Sequence, residues 1–193
     1  MLSTKLAHRN VILASQSPRR QKLLKGLEIE FEIRTKDIEE NYPDHLKREE
    51  VARFLAHLKA ESFKNDLVEN DLLITSDTTV CLDDHILNKP QSKEEALSML
   101  QQLRNRSHVV VTAVALTSHD KQVIFHDETE VTFGNLTDEE ILHYIEGYNP
   151  FDKAGSYGAQ DFLGFIGISK LNGSYFNVMG FPLHLVYQEL MKF

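Results

Sequence analysis

The stretch from Val11 to Lys25 predicts a strand, a polar turn and a helix in direct succession, which limits the possible folds more than any other feature. Residues 11–14 are a short apolar run typical of a buried strand, and residues 15–20 read Ser-Gln-Ser-Pro-Arg-Arg. Ser17 is a favoured N-cap residue, and Pro18 suits the first helical position because it has no N–H to lose there. The helix is therefore expected to begin at Pro18, directly after a polar turn.

Two arginines, Arg19 and Arg20, fall in the first turn of this predicted helix. A helix N-terminus carries a partial positive charge, so exposed cations there are disfavoured by roughly 0.3–1 kcal/mol each. Local stability therefore does not explain the pair. An anion held jointly by the turn amides, the hydroxyls of Ser15 and Ser17 and a guanidinium would explain it. Two solvated surface arginines are the alternative, and these six residues alone do not decide between the two.

The composition bounds the class of protein. A chain of 193 residues with 41% hydrophobic residues is long enough for one well-cored α/β domain, or for two small lobes that share a sheet. We expect one domain over residues 1–193. With 21 basic and 29 acidic residues the net charge is −8, which argues against a nucleic-acid backbone or an anionic membrane as the main partner. A small anion in a local basic pocket remains compatible with this charge.

The cysteine count and the hydropathy pattern favour a soluble, cytoplasmic protein. Cys81 is the only cysteine, so no intrachain disulfide can form and a reducing compartment is expected. No apolar run approaches the length that spans a membrane, and residues 1–9 lack the apolar core of a signal peptide.

Helices and strands are predicted to alternate along the rest of the chain. Helices are predicted over residues 46–63, 92–103 and 137–147 and from Pro182 onward, and strands over residues 29–33, 72–82, 86–87, 108–116, 123–125 and 128–133. Residues 162–169 and 174–179 are predicted to be strands joined by a hairpin turn at Asn172-Gly173. Ser92 and Thr137 each begin a predicted capping box.

Asp77 is the residue outside the first turn that most favours chemistry. Aspartate is depleted in strands and costly to bury without partners, yet Asp77 lies in the middle of a predicted strand. A carboxylate on a rigid strand suits a metal ligand or a general base, and a structural aspartate bonded to nearby hydroxyls is the alternative. Lys89 is expected just past the strands that carry Asp77. Lys59 lies at the margin of an apolar helix stripe, where it either snorkels to solvent or reaches a cleft.

Two irregular segments are candidate binding loops. Residues 37–43 are an acidic loop ended by a proline; a solvated surface is the simpler interpretation, and a catalytic or metal-binding role is the alternative. Residues 148–160 are mostly small, with one acid, one base and one amide, which is the composition of a binding loop. None of the 9 histidines has a zinc-site spacing, and His108 is expected to be a structural hydrogen-bonding residue.

In this order, these segments resemble the Maf family of nucleoside triphosphate pyrophosphatases over almost the whole chain. The resemblance rests on Leu-Ala-Ser-Gln-Ser-Pro-Arg-Arg (13–20), Leu-Lys-Ala (58–60), Ser-Asp-Thr-Thr-Val (76–80), Lys-Pro (89–90), Asp-Lys-Ala-Gly-Ser-Tyr-Gly-Ala-Gln (152–160) and Asn-Gly-Ser-Tyr (172–175). It implies an α/β fold with an elongated, twisted mixed sheet, flanking helices and a deep cleft between two lobes. It also implies a homodimer, and hydrolysis of a nucleotide between its α- and β-phosphates with a divalent cation, Mg²⁺ or Mn²⁺.

The resemblance also implies roles for individual residues. The phosphates would be bound by Ser15, Ser17, Arg19, Arg20, Lys59, Lys89 and Lys153, with Arg20 as the more direct arginine contact. Asp77 would be the general base, and Glu40, either alone or together with Asp77, would hold the metal; the sequence does not separate base from ligand. Arg20, Thr78 and Gln160 match the branch that acts on dTTP and UTP. The amide of Gln160 would donate to a pyrimidine carbonyl and accept from the ring N3–H, with the Thr78 hydroxyl nearby.

The chain departs from the family pattern at Arg104-Asn105, Asn88 and Asp161. Asp161 stands in place of a glycine and adds a carboxylate beside the expected base pocket. Two other functions remain open: a nucleotide-sensing or cell-division-regulating binding protein, and a pyrophosphatase acting on methylated guanine nucleotides. A sensor has no need of Asp77 and Glu40 beside phosphate-binding cations, and the guanine-directed branch differs at the three specificity positions.

Overall fold

The computed structural model describes all of residues 1–193 as an α/β protein built on one sheet. In chain order the strands are β1 (Asn10–Leu13), β2 (Glu32–Ile33), β3 (Asp71–Leu82), β4 (His85–Leu87), β5 (Ser107–Thr117), β6 (Gln122–Phe133) and β7 (Ile168–Asn172). The helices are α1 (Leu2–Lys5), α2 (Pro18–Lys25), α3 (Glu49–Glu61), α4 (Lys93–Leu103), α5 (Asp138–Tyr148), α6 (Phe162–Gly167), α7 (Tyr175–Val178) and α8 (Leu183–Leu190). Two short 3₁₀ turns, Pro150–Asp152 and Ala154–Ser156, lie between α5 and α6.

The strands form a mixed sheet in the order β2-β1-β3-β5-β6-β7, with β4 paired to β3. β1 runs parallel to β2 and to the first part of β3, whereas all the other pairs are antiparallel. The prediction of a twisted mixed sheet flanked by helices is confirmed.

The middle of β3 has a free edge. β1 pairs with β3 only as far as Ile74, and β4 pairs with it only from Val80 onward. Between these limits, residues 75–79 have a strand neighbour on one side alone, which is β5. Successive side chains of a strand point to opposite faces, so a ligand at this open edge is within reach of Asp77 on one face and Thr78 on the other. The carboxyl ends of parallel strands β1 and β2 open onto the same place, the usual ligand position in α/β sheets.

One face of the sheet carries two apolar clusters separated by polar residues. The first cluster contains Ile74 and packs under α2 and α8, and the second contains Val80 and packs under α4 and α5. Ser76 and Thr78 lie between them on the same face of β3, where no apolar residue continues the core. The two lobes are therefore two packed cores on one sheet, and the cleft opens at the polar gap between them.

The opposite face of the sheet is covered by α3. The helix packs through its small residues Ala52, Ala56 and Ala60, all fully buried in a third apolar cluster. The hydroxyl of Thr75 donates to the Ala56 carbonyl at 2.7 Å, which ties α3 to β3. This close approach places the last turn of α3, with Lys59, beside the free edge of β3.

The predicted capping boxes differ in completeness. The Thr137 hydroxyl and the N3 glutamate form the full reciprocal box at the start of α5. At α4 only half of the box forms: the Ser92 hydroxyl accepts from the Glu95 amide at 3.2 Å, but the Glu95 carboxylate accepts from the Gln91 amide at 2.7 Å instead of from Ser92.

The hairpin predicted at Asn172-Gly173 is wrong. The flanking segments contain helices α6 and α7, and only β7 between them is a strand. The Ser174 hydroxyl caps α7 by accepting from the Asn177 amide at 3.3 Å. The Asn177 side chain in turn donates to the Val110 carbonyl at 3.0 Å and to the Thr129 hydroxyl at 2.9 Å. These bonds to β5 and β6 hold a helical turn where the local pattern predicts a strand, because tertiary contacts outweigh β-propensity.

Smaller differences concern the ends of elements. The strand predicted over residues 29–33 shrinks to the two residues of β2, and α3 begins at Glu49, three residues later than predicted from Leu46. Helix α5 continues past Gly147 and ends at Tyr148, and Asn149 caps it in the left-handed conformation. None of the helices combines the length and the apolar character that crossing a membrane requires.

Candidate active site

A deep cleft of about 480 Å³ lies at the free edge of β3, between the two lobes. Its walls come from the turns after β1 and β2, the start of α2, the end of α3, the middle of β3 and the loop between α5 and α6. Every site residue predicted from the sequence lines this cleft: Ser15, Ser17, Arg19, Arg20, Glu40, Lys59, Asp77, Thr78, Lys89, Lys153 and Gln160.

The turn before α2 is shaped by its own serines. The Ser15 hydroxyl oxygen accepts from the Ser17 amide at 3.2 Å, and the Ser17 hydroxyl oxygen accepts from the Arg20 amide at 3.5 Å. The Gln21 side chain closes the turn by donating to the Ser15 carbonyl at 3.1 Å. Because both hydroxyls use only their oxygens here, each keeps its proton to donate to an anion in the cleft.

Glu40, Lys59, Asp77 and Lys89 form what we term the cation–carboxylate cluster. The Lys59 ammonium donates to Asp77 Oδ1 at 2.6 Å and lies 2.9 Å from Glu40 Oε1. The Lys89 ammonium donates to Glu40 Oε2 at 3.2 Å. The Lys59 and Asp77 side chains are only 16% and 10% exposed, so neither charge is tolerated there without the other. Any ligand that uses these groups must exchange existing ion pairs for new ones.

The two lysines stabilise the charged form of Glu40. Burial by itself raises the pKa of the Glu40 carboxyl, but the charges and hydrogen bonds of Lys59 and Lys89 outweigh it and lower that pKa to about 2. Glu40 is therefore a permanent negative charge across the physiological pH range.

Arg19 and Lys153 are joined by Asp152 on the opposite wall. Arg19 Nη1 lies 3.4 Å from Asp152 Oδ2, and the Lys153 ammonium donates to Asp152 Oδ1 at 2.7 Å. The Asp152 side chain is 58% exposed, whereas that of Lys153 is 10% exposed. Both residues line the cleft, and the cation is the more buried of the pair.

Arg20 is a buried bridge. Its Nε donates to the Gly180 carbonyl at 2.9 Å, its Nη1 to the Ser76 carbonyl at 2.8 Å and its Nη2 to the Thr78 hydroxyl at 3.0 Å. Burial lowers the pKa of this guanidinium, and the nearby Asp77 charge works against that effect. Arg20 thus ties α2 to β3 and to the segment before α8, and only its remaining Nη hydrogens are available to a ligand.

A chain of hydrogen bonds fixes the proton of Thr78. The Thr112 hydroxyl donates to the Asn177 carbonyl at 2.9 Å, which can only accept. Thr112 must then accept from Thr78 across their 3.0 Å contact, while Thr78 accepts from Arg20. Thr78 has therefore used its proton, and it offers a ligand only an acceptor lone pair.

Sequence reasoning missed Thr112 and Asn177 as supports of the cleft. The available signal for Thr112 was a threonine inside a strand that is otherwise apolar. Gly180 has a positive φ of 95°, and an added Cβ there would lie 3.2 Å from the Thr78 hydroxyl. Glycine is thus needed where the chain passes closest to Thr78 and Arg20.

Gln160 is open to a ligand. It lines the cleft, and its Oε1 is shielded from solvent without any hydrogen-bond partner in the protein. A buried acceptor without a partner costs on the order of 1–3 kcal/mol, so a ligand that donates to it gains that free energy.

His108 lies behind the loop that carries Gln160. Its Nε2 is 2.7 Å from the hydroxyl of Tyr157, a cleft residue in the same loop, and burial lowers the pKa of His108 to about 4. Burial also raises the pKa of the Tyr157 phenol. Both side chains are therefore neutral near pH 7, and the prediction of a structural, hydrogen-bonding His108 agrees with this position.

The cleft has one wall of paired lysines and carboxylates and another with a buried, unpartnered amide. This arrangement on a mixed α/β sheet defines a class of protein that binds a small polyanion with a polar, hydrogen-bonding end group. A nucleotide has that chemistry.

The chain belongs to the Maf family: its residues 10–193 match the family described as Maf-like protein. A relative from Flavobacterium johnsoniae is 48% identical over 190 residues, covering 98% of each chain, and one from Flavobacterium psychrophilum is 48% identical over 192 residues, covering 100% of this chain and 98% of the relative. A third, from Phocaeicola vulgatus, is 49% identical over 183 residues, covering 94% of this chain and 95% of the relative. All three bear the name dTTP/UTP pyrophosphatase. The solved structure of the Staphylococcus aureus Ham1 protein matches 65% of this chain and 72% of its own, with 16% identity and a TM-score of 0.48.

Proposed function

We propose that this chain is a nucleoside triphosphate pyrophosphatase that hydrolyses dTTP and UTP to the monophosphate and pyrophosphate. The observation that carries the proposal is the position of Asp77, a carboxylate held at the open edge of β3 next to the Lys59 ammonium. The relatives named dTTP/UTP pyrophosphatase, which align with 94% or more of this chain, support the choice of substrate.

The triphosphate is bound by the cations of the two walls. A nucleoside triphosphate carries about four negative charges near neutral pH, so its binding needs several cations and N–H donors. Lys59 and Lys89 supply charge from one wall, and Arg19 and Lys153 from the other. The hydroxyls of Ser15 and Ser17 and the Arg19 amide, which has no partner in the protein, add donors at the turn, and the free Nη hydrogens of Arg20 lie behind it.

Asp77 acts as the general base. It accepts a proton from a water molecule as the water oxygen bonds to the α-phosphorus. The bond from the α-phosphorus to the oxygen that bridges to the β-phosphorus breaks, and pyrophosphate leaves with that electron pair. Lys59, which already donates to Asp77, holds the carboxylate in place and offsets charge that develops on the phosphate oxygens.

The donor set of the cluster fits a divalent cation that shares its ligands with the substrate. Glu40 and Asp77 offer hard oxygen donors around one point, where the Lys59 ammonium lies between them. No third His, Cys, Asp or Glu completes an all-protein site. Mg²⁺ is commonly bound by one or two carboxylates together with substrate phosphates and water, so we propose Glu40 and Asp77 as ligands of Mg²⁺ or Mn²⁺. When bound, such a cation neutralises charge on the transferring phosphoryl group.

Gln160 and Thr78 select the base. Oε1 of Gln160 accepts from the N3–H of uracil or thymine, and its amide nitrogen donates to a ring carbonyl. This contact satisfies Oε1 of Gln160, the one buried acceptor without a partner among the residues that line the cleft. Thr78 also lines the cleft, and it can only accept from the nucleotide because its own proton is bound to Thr112.

The wider setting is part of the same proposal. We propose that residues 1–193 act as one domain, that two copies form a homodimer and that the enzyme works in the cytoplasm, where its nucleotide substrates are made. The net charge of −8 disfavours nucleic acid as a partner while the local cations of the cleft attract a small polyanion.

The test is release of pyrophosphate from a panel of nucleotides, comprising dTTP, UTP, CTP, GTP, ATP and a methylated GTP, with Mg²⁺ or Mn²⁺. We expect dTTP and UTP to be the best substrates, and Asp77→Asn to lower kcat by about 10²–10⁴-fold without a loss of folded structure. Asp84→Asn, at an exposed carboxylate in the turn after β3, is the matched control and should keep full activity.

Three results would overturn the proposal. Nucleotide binding without turnover by the wild-type protein would favour a nucleotide-sensing protein. Preferred turnover of the methylated guanine nucleotide would favour the other branch. Unchanged turnover by Asp77→Asn would remove Asp77 from the chemistry.

A further inference from the structure

The position of Gln160 depends on its backbone. Its Oε1 has no hydrogen-bond partner in the protein, so no such bond aims this end of the side chain. Gln160 lies inside a tight turn, which the Asp161 amide closes by donating to the Gly158 carbonyl at 3.1 Å. Whatever holds this turn therefore determines where the amide of Gln160 meets a ligand.

The turn is braced by Tyr144, a fully buried residue of α5. The Tyr144 hydroxyl accepts from the Gly158 amide at 3.1 Å and donates to Asp161 Oδ2 at 3.2 Å. One hydroxyl thus joins both ends of the turn to a helix in the core of the lobe. We call Tyr144 and Asp161 the turn brace.

The turn is closely packed at two glycines, Gly158 and Gly164. An added Cβ on Gly158 would lie 2.4 Å from Asp161 Oδ2, so the carboxylate rests against the bare face of this glycine. An added Cβ on Gly164 would lie 2.4 Å from the Ala159 carbonyl oxygen, so α6 supports the turn from behind. The carboxylate is a packed part of the turn.

Asp161 has a second contact on the phosphate side. Its Oδ2 lies 3.7 Å from the Lys153 ammonium, while Asp161 itself is not among the residues that line the cleft. It can therefore act on a ligand only through Tyr144, the turn and Lys153. The family resemblance predicts a glycine at this position, which has no side chain to make either contact.

We propose that Asp161, together with Tyr144, is a positioning residue that places Gln160 for recognition of the pyrimidine base. The inference rests on the proposed function, since it assumes that Gln160 meets the base. Loss of the brace lets the turn relax, so the base contact weakens while the groups that bind phosphate keep their places. Tyr144 acts on the base contact alone, whereas Asp161 also contacts Lys153, so Tyr144→Phe is the variant that separates base recognition from phosphate binding.

The experiment compares two ligands that differ by the nucleoside: α,β-imido UTP, which resists hydrolysis, and tripolyphosphate, both with Mg²⁺. Dissociation constants are measured by calorimetry for wild type, Tyr144→Phe, Asp161→Ala and Asp161→Asn. Tyr148→Phe is the matched control, because Tyr148 is on the same helix, stacks on Tyr144 and is 44% exposed.

Tyr144→Phe and Asp161→Ala are expected to weaken α,β-imido UTP binding by about ten-fold, the equivalent of one hydrogen bond. Tripolyphosphate binding by Tyr144→Phe should stay within about two-fold, because the pairing of Asp161 with Lys153 is intact. Asp161→Asn keeps an acceptor of the same size for the Tyr144 hydroxyl, so it should bind α,β-imido UTP within about two-fold of wild type. A purely structural effect would weaken the binding of both ligands together.

The inference is overturned if Tyr144→Phe and Asp161→Ala weaken the binding of both ligands equally, or if they weaken the binding of neither ligand. It is also overturned if wild type binds the two ligands equally, since the base would then contribute nothing. Turnover of UTP by wild type is followed separately. A protein that binds α,β-imido UTP, loses that binding in the two variants and fails to hydrolyse UTP would refute the proposed activity and support the brace.

Discussion

The two walls of the cleft hold their functional groups in different ways. In the cation–carboxylate cluster, side chains hold one another: Lys59 lies between Asp77 and Glu40 through ion pairs of 2.6 and 2.9 Å. On the other wall, Gln160 is placed by a braced backbone turn and keeps an acceptor free. The cation–carboxylate cluster must exchange bonds to bind a ligand, whereas Gln160 only adds one. This difference suits a substrate whose phosphates take part in the reaction and whose base is only recognised.

The largest expected effect comes from a substitution in the cation–carboxylate cluster. Lys59→Met removes the shared cation, which leaves Asp77 without its ion-pair partner and Glu40 paired with Lys89 alone, so kcat/KM for dTTP should fall by about 10²–10³-fold. Steady-state kinetics with a pyrophosphate assay measure it. Lys64→Met, at an exposed lysine just past the end of the same helix, should leave kcat/KM unchanged. A loss below about ten-fold for Lys59→Met would show that the cluster does not depend on its central cation.

A substitution of Gln160, on the other wall, should change KM more than kcat. Gln160→Met keeps a side chain of similar length but removes the amide, so KM for dTTP and UTP should rise by about 10- to 100-fold with a smaller change in kcat. Gln102→Met, at an exposed position of α4, is the control. An equal fall in kcat at unchanged KM would mean that Gln160 acts in the chemical step, and the contrast between the walls would be lost.

The pH dependence of the free energy of unfolding tests the burial of His108, which lies behind the loop that carries Gln160. His108 has a folded-state pKa of about 4 against an ordinary 6.5, because it is buried. Below pH 6.5 the unfolded chain binds a proton that the folded protein refuses, so this residue reduces stability by about 1.4 kcal/mol per pH unit as pH falls toward 4. Above pH 6.5 it contributes no slope.

Denaturant unfolding between pH 7.5 and 4.5 measures this effect. In His108→Gln, the slope of unfolding free energy against pH should fall by the contribution of one proton in that window. An unchanged slope in His108→Gln would mean that His108 titrates alike in the folded and unfolded states.

The features that were predictable from the sequence are those set by local chemistry or by an oddity of residue type. The Ser17 and Pro18 signals fix the start of α2, and Asp77 is conspicuous because a carboxylate is costly inside a strand. The order of the motifs also located the cleft residues in advance, since all of them line one cavity. Their roles in the reaction remain proposals.

The features that were not predictable depend on contacts between distant segments. The segment after Gly173 reads as a strand, but Asn177 satisfies groups on β5 and β6, and only glycine fits at position 173, where φ is 134° and a Cβ would lie 2.7 Å from the Thr129 hydroxyl. The brace from Tyr144 to Asp161 crosses 17 positions of the chain. No periodicity or spacing encodes either contact.

The most direct test of the account is hydrolysis of dTTP in ¹⁸O-labelled water, with both products analysed by mass spectrometry. Because Asp77 is proposed to direct water to the α-phosphorus, the label should appear in the monophosphate and be absent from pyrophosphate. Label in pyrophosphate, or release of dTDP and inorganic phosphate, would place the attack on another phosphorus and contradict the account.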